Sequence, residues 1–230
     1  MRQKLLFMQA PTGVGKTIST IFPAVKAVGE ELADRIFYLT AKTITATVAK
    51  ETFALLEKNG YRAKTIQITA KEKLCPCDEM ECNPVTCPYA KGHFDRVNDA
   101  VFDLLHRCEM IERDDILSQA DRYTVCPFEL CLDTASWCDN IICDYNYVFD
   151  PNVYLKRFFQ EGIKGDYIFL IDEAHNMVER SRQMYSAQIY KEDFLTVKRI
   201  MKEHSRSIEK ALEKCNKILL GMKRECENYT

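Results

Sequence analysis

The chain has 230 residues, and its 32 lysines and arginines against 34 aspartates and glutamates give a formal net charge of −2. Hydrophobic residues make up 47% of it and charged residues 29%, a balance that supports a buried core and excludes a disordered chain. Because the net charge is near zero, any binding to nucleic acid has to come from local patches and not from a basic surface overall.

Eleven cysteines are an unusual number for this length. No apolar run approaches the roughly 18 residues that a membrane-spanning helix needs, and the apolar start at Leu5, Leu6 and Phe7 leads into a glycine loop instead of a signal-peptide cleavage site. We therefore expect a cytoplasmic protein without a membrane partner, whose thiols stay reduced. In such a protein, clustered cysteines indicate a metal site or catalysis before disulfides.

The N-terminal third of the chain alternates between strand and helix patterns. Apolar runs predict buried strands at 5–10, 36–40 and 65–69, and helical patterns lie between them at 17–32 and 41–60. Pro23 must kink or restart the first of these helices. The β-α-β-α-β order predicts a parallel sheet with helices on its faces.

The alternation stops between about residues 70 and 138, where eight of the 11 cysteines lie around one helical segment. Strands return within 140–150 and at 167–172, and the chain is charged and helical from about residue 187. We predict an α/β domain whose parallel sheet is split by a mostly helical insertion, with a further helical segment at the end. The predicted boundaries are 1–69, 70–138, 139–186 and 187–230.

A glycine-rich loop between the first predicted strand and helix has the sequence Ala10-Pro11-Thr12-Gly13-Val14-Gly15-Lys16-Thr17. This is the context of a P-loop, in which glycines and a helix N-terminus bind the phosphates of ATP. Lys16 is the candidate for contacting the β- and γ-phosphates, and Thr17 is a candidate Mg²⁺ ligand. Ala10 stands where the strict pattern has glycine, and the alternative is a strand-to-helix turn without a ligand.

Two carboxylates follow the strand predicted at 167–172, in the sequence Asp172-Glu173-Ala174-His175. A strand end of a parallel sheet is where ligands of α/β proteins bind. We predict that Asp172 holds Mg²⁺ through water, Glu173 polarises the attacking water and His175 couples the γ-phosphate to neighbouring motifs. A solvated helix start is the alternative for this box taken alone.

Four cysteines lie within 13 residues, and a fifth, Cys126, follows in a Cys-Pro-Phe sequence. The four are Cys75, Cys77, Cys82 and Cys87. Four thiolates hold either zinc or an iron–sulfur cluster, and the spacing does not decide between them. Unpaired thiols are the alternative, and the remaining six cysteines are interpreted as small buried or incidental residues.

The combined order of motifs resembles the superfamily 2 DNA helicases of the XPD/DinG type, and bacterial DinG-like members in particular. The motifs are APTGVGKT, FYLTAKT, CNPVTCPYAKGHFDR, CPFEL, YNYVFDP and DEAH. The resemblance covers nearly the whole chain. It implies a RecA-like motor domain that couples ATP hydrolysis to 5′-to-3′ translocation on single-stranded DNA and to unwinding at duplex junctions, in repair or replication.

The resemblance also implies a 4Fe-4S cluster held by Cys75, Cys82, Cys87 and Cys126, with Cys77 as a rival for the first ligand. Lys42 and Thr43 match the family's DNA-backbone motif, with a solvated helix start as the alternative. Basic residues near the insertion are further candidates for the DNA path: Lys71, Lys73, Lys91, His93 and Arg96. Tyr145, Asn146 and Tyr147 match a segment before the acidic box that is interpreted as mainly structural.

Because the family has a second motor domain with an arginine finger, we expect it C-terminal to this chain, and the tail from 187 is expected to begin an arch domain. We then expect the chain to be a monomeric fragment that binds ATP weakly and hydrolyses it poorly by itself. Two other functions stay open: a metal-bearing DNA-binding module without ATP turnover, and a helicase–nuclease or mobile-element defence motor.

Overall fold

The computed structural model describes residues 5–11, 13–41 and 43–227. It divides into two compact units, one that ends at Met184 and one that begins at Tyr185. Each unit is described by itself below.

The first unit is built on a parallel sheet. Its strands are β1 (Arg35–Leu39), β2 (Thr65–Gln67), β3 (Met110–Ile111), β4 (Asn140–Cys143) and β5 (Tyr167–Ile171), in the spatial order β3-β2-β4-β1-β5. Every paired ladder is parallel, and Leu39 lies opposite both Cys143 and Ile171. The carboxyl ends of β1, β4 and β5 therefore meet at one edge. The predicted parallel-sheet α/β fold is confirmed.

Eleven α-helices lie in the described residues. They are α1 (Lys16–Gly29), α2 (Thr43–Lys58), α3 (Lys71–Leu74), α4 (His93–Arg107), α5 (Arg113–Tyr123), α6 (Pro127–Ala135), α7 (Asn146–Phe149), α8 (Lys156–Phe159), α9 (Met177–Met184), α10 (Lys191–Met201) and α11 (Arg206–Glu227). A 3-10 turn, Ala174–Asn176, precedes α9.

One face of the sheet is covered by α1 and α2. The buried cluster on this face contains Ile21 of α1, Tyr38 of β1, Ile142 of β4, and Ala46, Ala49 and Phe53 of α2. The three α2 positions are spaced by three and four residues, as one helix face requires. Two of them are alanines, so the helix backbone approaches the sheet closely.

The helices of the cysteine-bearing stretch cover the opposite face. Phe37 and Leu39, which alternate with Tyr38 along β1, pack in one cluster with Val97, Val101 and Leu104 of α4 and Leu130 of α6. Successive strand residues point to opposite faces, so β1 contributes to both clusters. The insertion predicted at 70–138 therefore shares its core with the sheet, and it supplies a strand of its own, because β3 pairs with β2.

The strand predicted at 5–10 is absent from the described structure, where this segment has no regular structure and Leu5, Leu6 and Phe7 are exposed. A buried parallel strand needs a neighbour and cover on both faces, and the described residues cover neither face of this segment. β5 forms the sheet edge, with Phe169 40% exposed.

Pro23 was expected to kink or restart the first helix, and α1 does not restart there but runs through it from Lys16 to Gly29. Pro23 removes the hydrogen bond to the carbonyl of Ser19, and both residues are exposed. Water can therefore hydrate that carbonyl, which reduces the cost of the interruption.

The second unit contains α10 and α11, as expected from the charged helical pattern after residue 187. Its apolar residues Val197, Ile200, Ile208, Ile218 and Met222 are exposed. Among the described residues, no helix combines the length and apolar character needed to cross a membrane.

Candidate functional site

The glycine loop ends in the first turn of α1. Gly13 and Gly15 have φ angles of 83° and 79°, in the left-handed region that favours glycine. Gly15 is the N-cap of α1, and the first turn contains no acidic residue. The partial positive charge of a helix N-terminus attracts an anion there. Ala10, Pro11 and Val14 lie in this loop, whereas Thr12 lies outside the described residues.

The two predicted halves of the site meet in the structure. Lys16 Nζ lies 3.6 Å from Glu173 Oε1, and both side chains are about one-third exposed, at 37% and 33%. His175 Nδ1 lies 3.4 Å from Glu173 Oε2. Glu173 is thus shared by the P-loop lysine and the histidine of the acidic box, residues that are 159 positions apart in sequence (175 minus 16).

The carboxylates follow the end of β5. The backbone N–H of Asp172 donates to the carbonyl of Leu39 at 3.0 Å, which extends the β1–β5 ladder by one bond. Glu173 then has a φ of 50°, a left-handed conformation that is strained for a residue with a side chain. Strain of this kind costs on the order of 1–3 kcal/mol and persists only where the surroundings fix it.

Tyr145 stabilises this strained turn through its hydroxyl group. It is fully buried, and its hydroxyl donates to the carbonyl of Asp172 and lies 3.4 Å from the carbonyl of Glu173. Burial, followed by the nearby charge of Asp172, raises the pKa of Tyr145, so it remains a donor. From the sequence, Tyr145 was matched to a family segment interpreted as mainly structural. Its hydrogen bonds to the acidic box were not predicted.

Tyr38 is a site residue that sequence reasoning misses. Its side chain is 2% exposed between the sheet and α1, and the side chains of Thr17 and Asp172 lie close enough to its hydroxyl to affect its pKa. Burial, then the charge of Asp172, raises its pKa far above the ordinary value. The available signal is a residue with a polar tip in an otherwise apolar strand, because a buried tyrosine hydroxyl needs a partner.

Thr17 and Asp172 are the two residues predicted as Mg²⁺ ligands. Both influence the pKa of the same tyrosine hydroxyl, so the fold brings the start of α1 and the end of β5 near each other. Mg²⁺ prefers oxygen ligands and keeps several waters when one or two protein groups hold it. The two residues fit such an ion.

The candidate DNA contacts are only partly described. Lys42 lies outside the described residues, and Thr43 begins α2, with no description of its side chain. Among the basic residues of the insertion, Lys73 and Lys91 are exposed, as a DNA path requires.

One candidate of that path is corrected by the structure. His93 is 4% exposed, and its Nδ1 accepts a hydrogen bond from the backbone N–H of Cys126 at 3.2 Å, so it lies in the core and not on a DNA path. Arg96 is half-buried and donates to the carbonyls of Lys91, Tyr123 and Thr124 at 2.6–2.8 Å, which gives it a role within the fold.

Five cysteines line one pocket. They are Cys75, Cys77, Cys82, Cys87 and Cys126, and Lys71, Tyr89 and Phe128 complete the wall. Cys126 is the N-cap of α6, with Pro127 at the first helical position. The other four lie in the irregular chain between α3 and α4.

The choice between Cys75 and Cys77 stays open in this geometry. Partial burial and hydrogen bonding with Cys87 raise the pKa of Cys77 to about 11, and its thiol also contacts Cys75. Among the described residues, no group of three or more His, Cys, Asp and Glu side chains is arranged as the ligands of a single metal ion.

Three further cysteines are buried in the core. Burial raises the pKa of Cys131 and of Cys138 to about 12 each and raises that of Cys143 further. All 11 cysteines are free thiols. The buried three are protonated at neutral pH and pack as small apolar side chains.

Comparison with known proteins gives the family. The family model DEAD_2 matches residues 47–194, from α2 through the cysteine pocket and the acidic box to the start of α10. The chain belongs to the DEAD_2 family. The resemblance to XPD/DinG-type helicases inferred from the motifs is thereby confirmed, and the matched residues include the whole insertion.

Two curated proteins are relatives of this DEAD_2 chain, and one of them is described as a DNA repair factor subunit. The chain is 24% identical over 204 residues to the general transcription and DNA repair factor IIH helicase subunit XPD/RAD3 of Saccharomyces cerevisiae. This match covers 74% of the chain and 26% of that protein. The chain is 28% identical over 76 residues to the Fanconi anemia group J protein homolog of Gallus gallus, covering 33% of the chain and 6% of that protein. The chain therefore spans about a quarter or less of these relatives.

Two solved structures share the fold. A structure described as a truncated XPD superposes with a TM-score of 0.56 at 17% identity, over 90% of this chain and 58% of that one. A structure described as an XPD helicase superposes with a TM-score of 0.57 at 17% identity, over 90% of this chain and 36% of that one. At this identity the likeness supports the architecture of the DEAD_2 chain.

Proposed function

We propose that the chain is the ATP-binding lobe of an ATP-dependent DNA helicase, which couples ATP hydrolysis to 5′-to-3′ translocation on single-stranded DNA and to duplex unwinding in repair or replication. The observation that carries the proposal is the 3.6 Å contact between Lys16 and Glu173. It joins a phosphate-binding loop to a carboxylate at the carboxyl edge of a parallel sheet, where α/β proteins bind ligands.

Each residue of this edge has a distinct role in the proposal. Backbone N–H groups of the loop and the N-terminus of α1 bind phosphate oxygens, and Lys16 neutralises the β- and γ-phosphates. Glu173 then exchanges its ion pair with Lys16 for a water aimed at the γ-phosphate, which it polarises as a general base. His175 Nδ1 lies 3.4 Å from Glu173 Oε2, so its contact with the carboxylate changes when Glu173 leaves Lys16 for the water. Mg²⁺, held by Thr17 and Asp172, supplies neutralisation of the phosphate charge.

We further propose that the cysteine pocket holds a 4Fe-4S cluster through Cys75, Cys82, Cys87 and Cys126. Each ligand of a cluster binds its own iron atom, whereas a single zinc ion needs four sulfurs at about 2.3 Å from one point. The pocket is lined by enough cysteines for either metal, and the cluster is proposed over zinc on the resemblance to XPD/DinG-type helicases. Lys73 and Lys91 are exposed near this pocket and are candidates for contacting the DNA strand, together with Lys42 and Thr43 of the motor domain.

The motor proposal is tested by the ATPase activity of the full-length protein with and without single-stranded DNA. We expect DNA to stimulate hydrolysis, and Lys16→Ala to lower kcat by roughly 10²–10³-fold, as loss of one electrostatic donor does. Lys26→Ala is the matched control, because Lys26 is an exposed lysine in the last turn of the same helix. DNA binding without any ATP turnover contradicts the motor and supports a metal-bearing binding module.

The cluster proposal has a spectroscopic test. Protein purified without oxygen should be brown and contain iron and sulfide in equal amounts. Colourless protein with stoichiometric zinc rejects the cluster. Comparing Cys75→Ser with Cys77→Ser decides the first ligand, because only the ligand's substitution lowers the iron content.

A further inference from the structure

We propose that Asp144 and Tyr145, which follow β4, are positioning residues that place the Glu173 carboxylate for its work on the attacking water by holding the chain on both sides of the acidic box. The inference rests on the proposed function, because Glu173 is the proposed base of the same site. It gives a part in the reaction to Tyr145, which the sequence assigns to a mainly structural segment, and to Asp144, which none of the motifs includes.

The acidic box leaves the sheet through a turn that needs outside support. Glu173 has a φ of 50° and a ψ of 44°, a left-handed backbone that is unfavourable for a residue with a side chain. The ladder hydrogen bond of the Asp172 N–H comes one residue before this turn. A change in the backbone angles of Glu173 would therefore move its carboxylate relative to Lys16, whose Nζ lies 3.6 Å from Oε1.

Tyr145 holds the turn where it leaves the strand. The ends of β4 and β5 flank the end of β1; Tyr145 comes two residues after β4, and Asp172 comes directly after β5. The Tyr145 hydroxyl donates to the carbonyl of Asp172 and lies 3.4 Å from the carbonyl of Glu173. These two carbonyls belong to the peptide units on either side of the Glu173 Cα. Successive carbonyls point the same way in a left-handed turn and opposite ways in a strand, so one hydroxyl near both favours the turn.

The side chain of Tyr145 is itself fixed in the core. It is fully buried and belongs to the cluster that contains Leu39 of β1 and Met184 of α9. Its carbonyl accepts a hydrogen bond from the N–H of Phe149 in α7 at 2.9 Å. Because a close-packed core leaves a large ring little room to move, the hydroxyl is a fixed donor for the turn.

Asp144 holds the helix that follows the box. Nη2 of Arg180, in α9, lies 3.1 and 3.3 Å from the two carboxylate oxygens of Asp144. One of these oxygens also accepts the backbone N–H of Asn146 at 2.9 Å. The side chains of the ion pair are 32% and 30% exposed, so solvent screens it and we expect it to contribute less than the buried tyrosine.

The test measures the DNA-stimulated ATPase of the full-length protein carrying Tyr145→Phe, which keeps the buried ring and removes the hydroxyl. Misplacing a reacting group by about 1 Å costs on the order of 10²-fold in rate. We therefore expect kcat to fall by roughly 10–100-fold, with the KM for ATP within a few fold of the wild type. In a Glu173→Gln background the same substitution should have little further effect, because Tyr145 acts through that carboxylate.

Tyr61→Phe is the matched control. The Tyr61 hydroxyl donates to the side chain of Asn140 at 3.1 Å, at the amino-terminal end of β4 and so at the other end of the strand from Tyr145. This variant also loses a hydrogen-bonded tyrosine hydroxyl, but its kcat should follow the wild type.

A second pair of variants tests the contact at α9 and serves if Tyr145→Phe does not fold. Arg180→Met removes the charge that faces Asp144 and should lower kcat, by less than Tyr145→Phe, at an unchanged KM. Arg180→Lys keeps a positive charge there and should recover part of the rate. Arg182→Met, at an exposed arginine of the same helix, is the control.

The failures of the inference and of the proposed function are distinguishable. The inference is overturned if the wild type hydrolyses ATP and the Tyr145 and Arg180 variants match its kcat, or if Tyr145→Phe lowers kcat equally in the Glu173→Gln background. Either result leaves the proposed function intact. A wild-type protein without DNA-stimulated hydrolysis overturns the proposed function, and the roles of Asp144 and Tyr145 with it.

Discussion

The nucleotide site and the cysteine pocket are built in opposite ways. Lys16, Asp172 and Glu173 sit at the ends of α1 and β5, so the sheet ladder and the helix start set their positions before any ligand arrives. The cysteines of the pocket other than Cys126 lie between α3 and α4, where the backbone forms no long helix or strand and makes few hydrogen bonds. A site of the first kind is preorganised, whereas one of the second kind gains its order from the metal, and binding then adds to folding stability.

The largest effect should come from Glu173, the proposed catalytic carboxylate of the preorganised site. Glu173→Gln keeps the shape of the side chain but removes the base and the charge that Lys16 contacts. We expect the DNA-stimulated ATPase of the full-length protein to fall by roughly 10²–10⁴-fold, the usual worth of a general base. Nucleotide affinity should stay within a few fold of the wild type.

The control for this substitution is Glu179→Gln, an exposed glutamate of α9. Its ATPase rate should match the wild type. A Glu173→Gln enzyme that retains normal turnover would show that another residue activates the water.

The second largest effect concerns the core that both regions share. Leu104 of α4 is fully buried against the sheet, so Leu104→Ala leaves a cavity. We expect a loss of about 2–5 kcal/mol in the free energy of unfolding, measured by urea denaturation. Phe102→Ala, on the exposed face of the same helix, is the control.

The same experiment tests whether the helices of the insertion, α4 to α6, fold together with the sheet or independently of it. If Leu104→Ala destabilises only the cysteine-bearing stretch and leaves the sheet folded, the insertion is an independent module. A single transition shifted as a whole shows that the sheet needs the insertion as its cover.

The third prediction concerns the cysteine pocket, which is proposed to hold the cluster. Cys126→Ala should lose most of the iron and become more sensitive to proteolysis between α3 and α4, where the chain is irregular. Cys108→Ala, at a half-buried cysteine outside the pocket, should retain its iron. Iron content and limited proteolysis measure the two effects. Equal iron in both variants would remove Cys126 from the ligand set.

Much of the fold follows from the sequence, because apolar runs and helical periodicity report burial directly. The strands β1, β2, β4 and β5 and the parallel order are predicted this way. β3 is missed because two residues, Met110 and Ile111, are too few for a periodic pattern. The segment 5–10 is misassigned because an apolar run indicates side chains that need burial but does not identify the residues that would bury them.

The site shows the same division. Residue types with a distinctive spacing, such as Lys16 and Glu173, are found from the sequence and brought together by the structure. Tyr38 is missed because its place near Asp172 depends on register between two strands that are far apart in sequence. His93 is misassigned to the DNA path because a basic side chain in a charged segment gives no sign that it points into the core.

The smallest expected effect on stability tests the loop that begins the preorganised site. Gly15 has a φ of 79°, while a side-chain carbon there would meet nothing closer than Ile18 at 3.5 Å. Gly15→Ala therefore adds little steric clash but forces alanine into a left-handed conformation, at a cost of about 1–2 kcal/mol. In a chain of this size that corresponds to a fall of roughly 2–8 °C in Tm, measured by calorimetry. Gly29→Ala, at the other end of α1 where φ is not positive, is the control and should leave Tm nearly unchanged or slightly raised. Equal Tm values for the two variants would show that the loop relaxes freely, and the nucleotide site would then resemble the cysteine pocket in waiting for its ligand to become ordered.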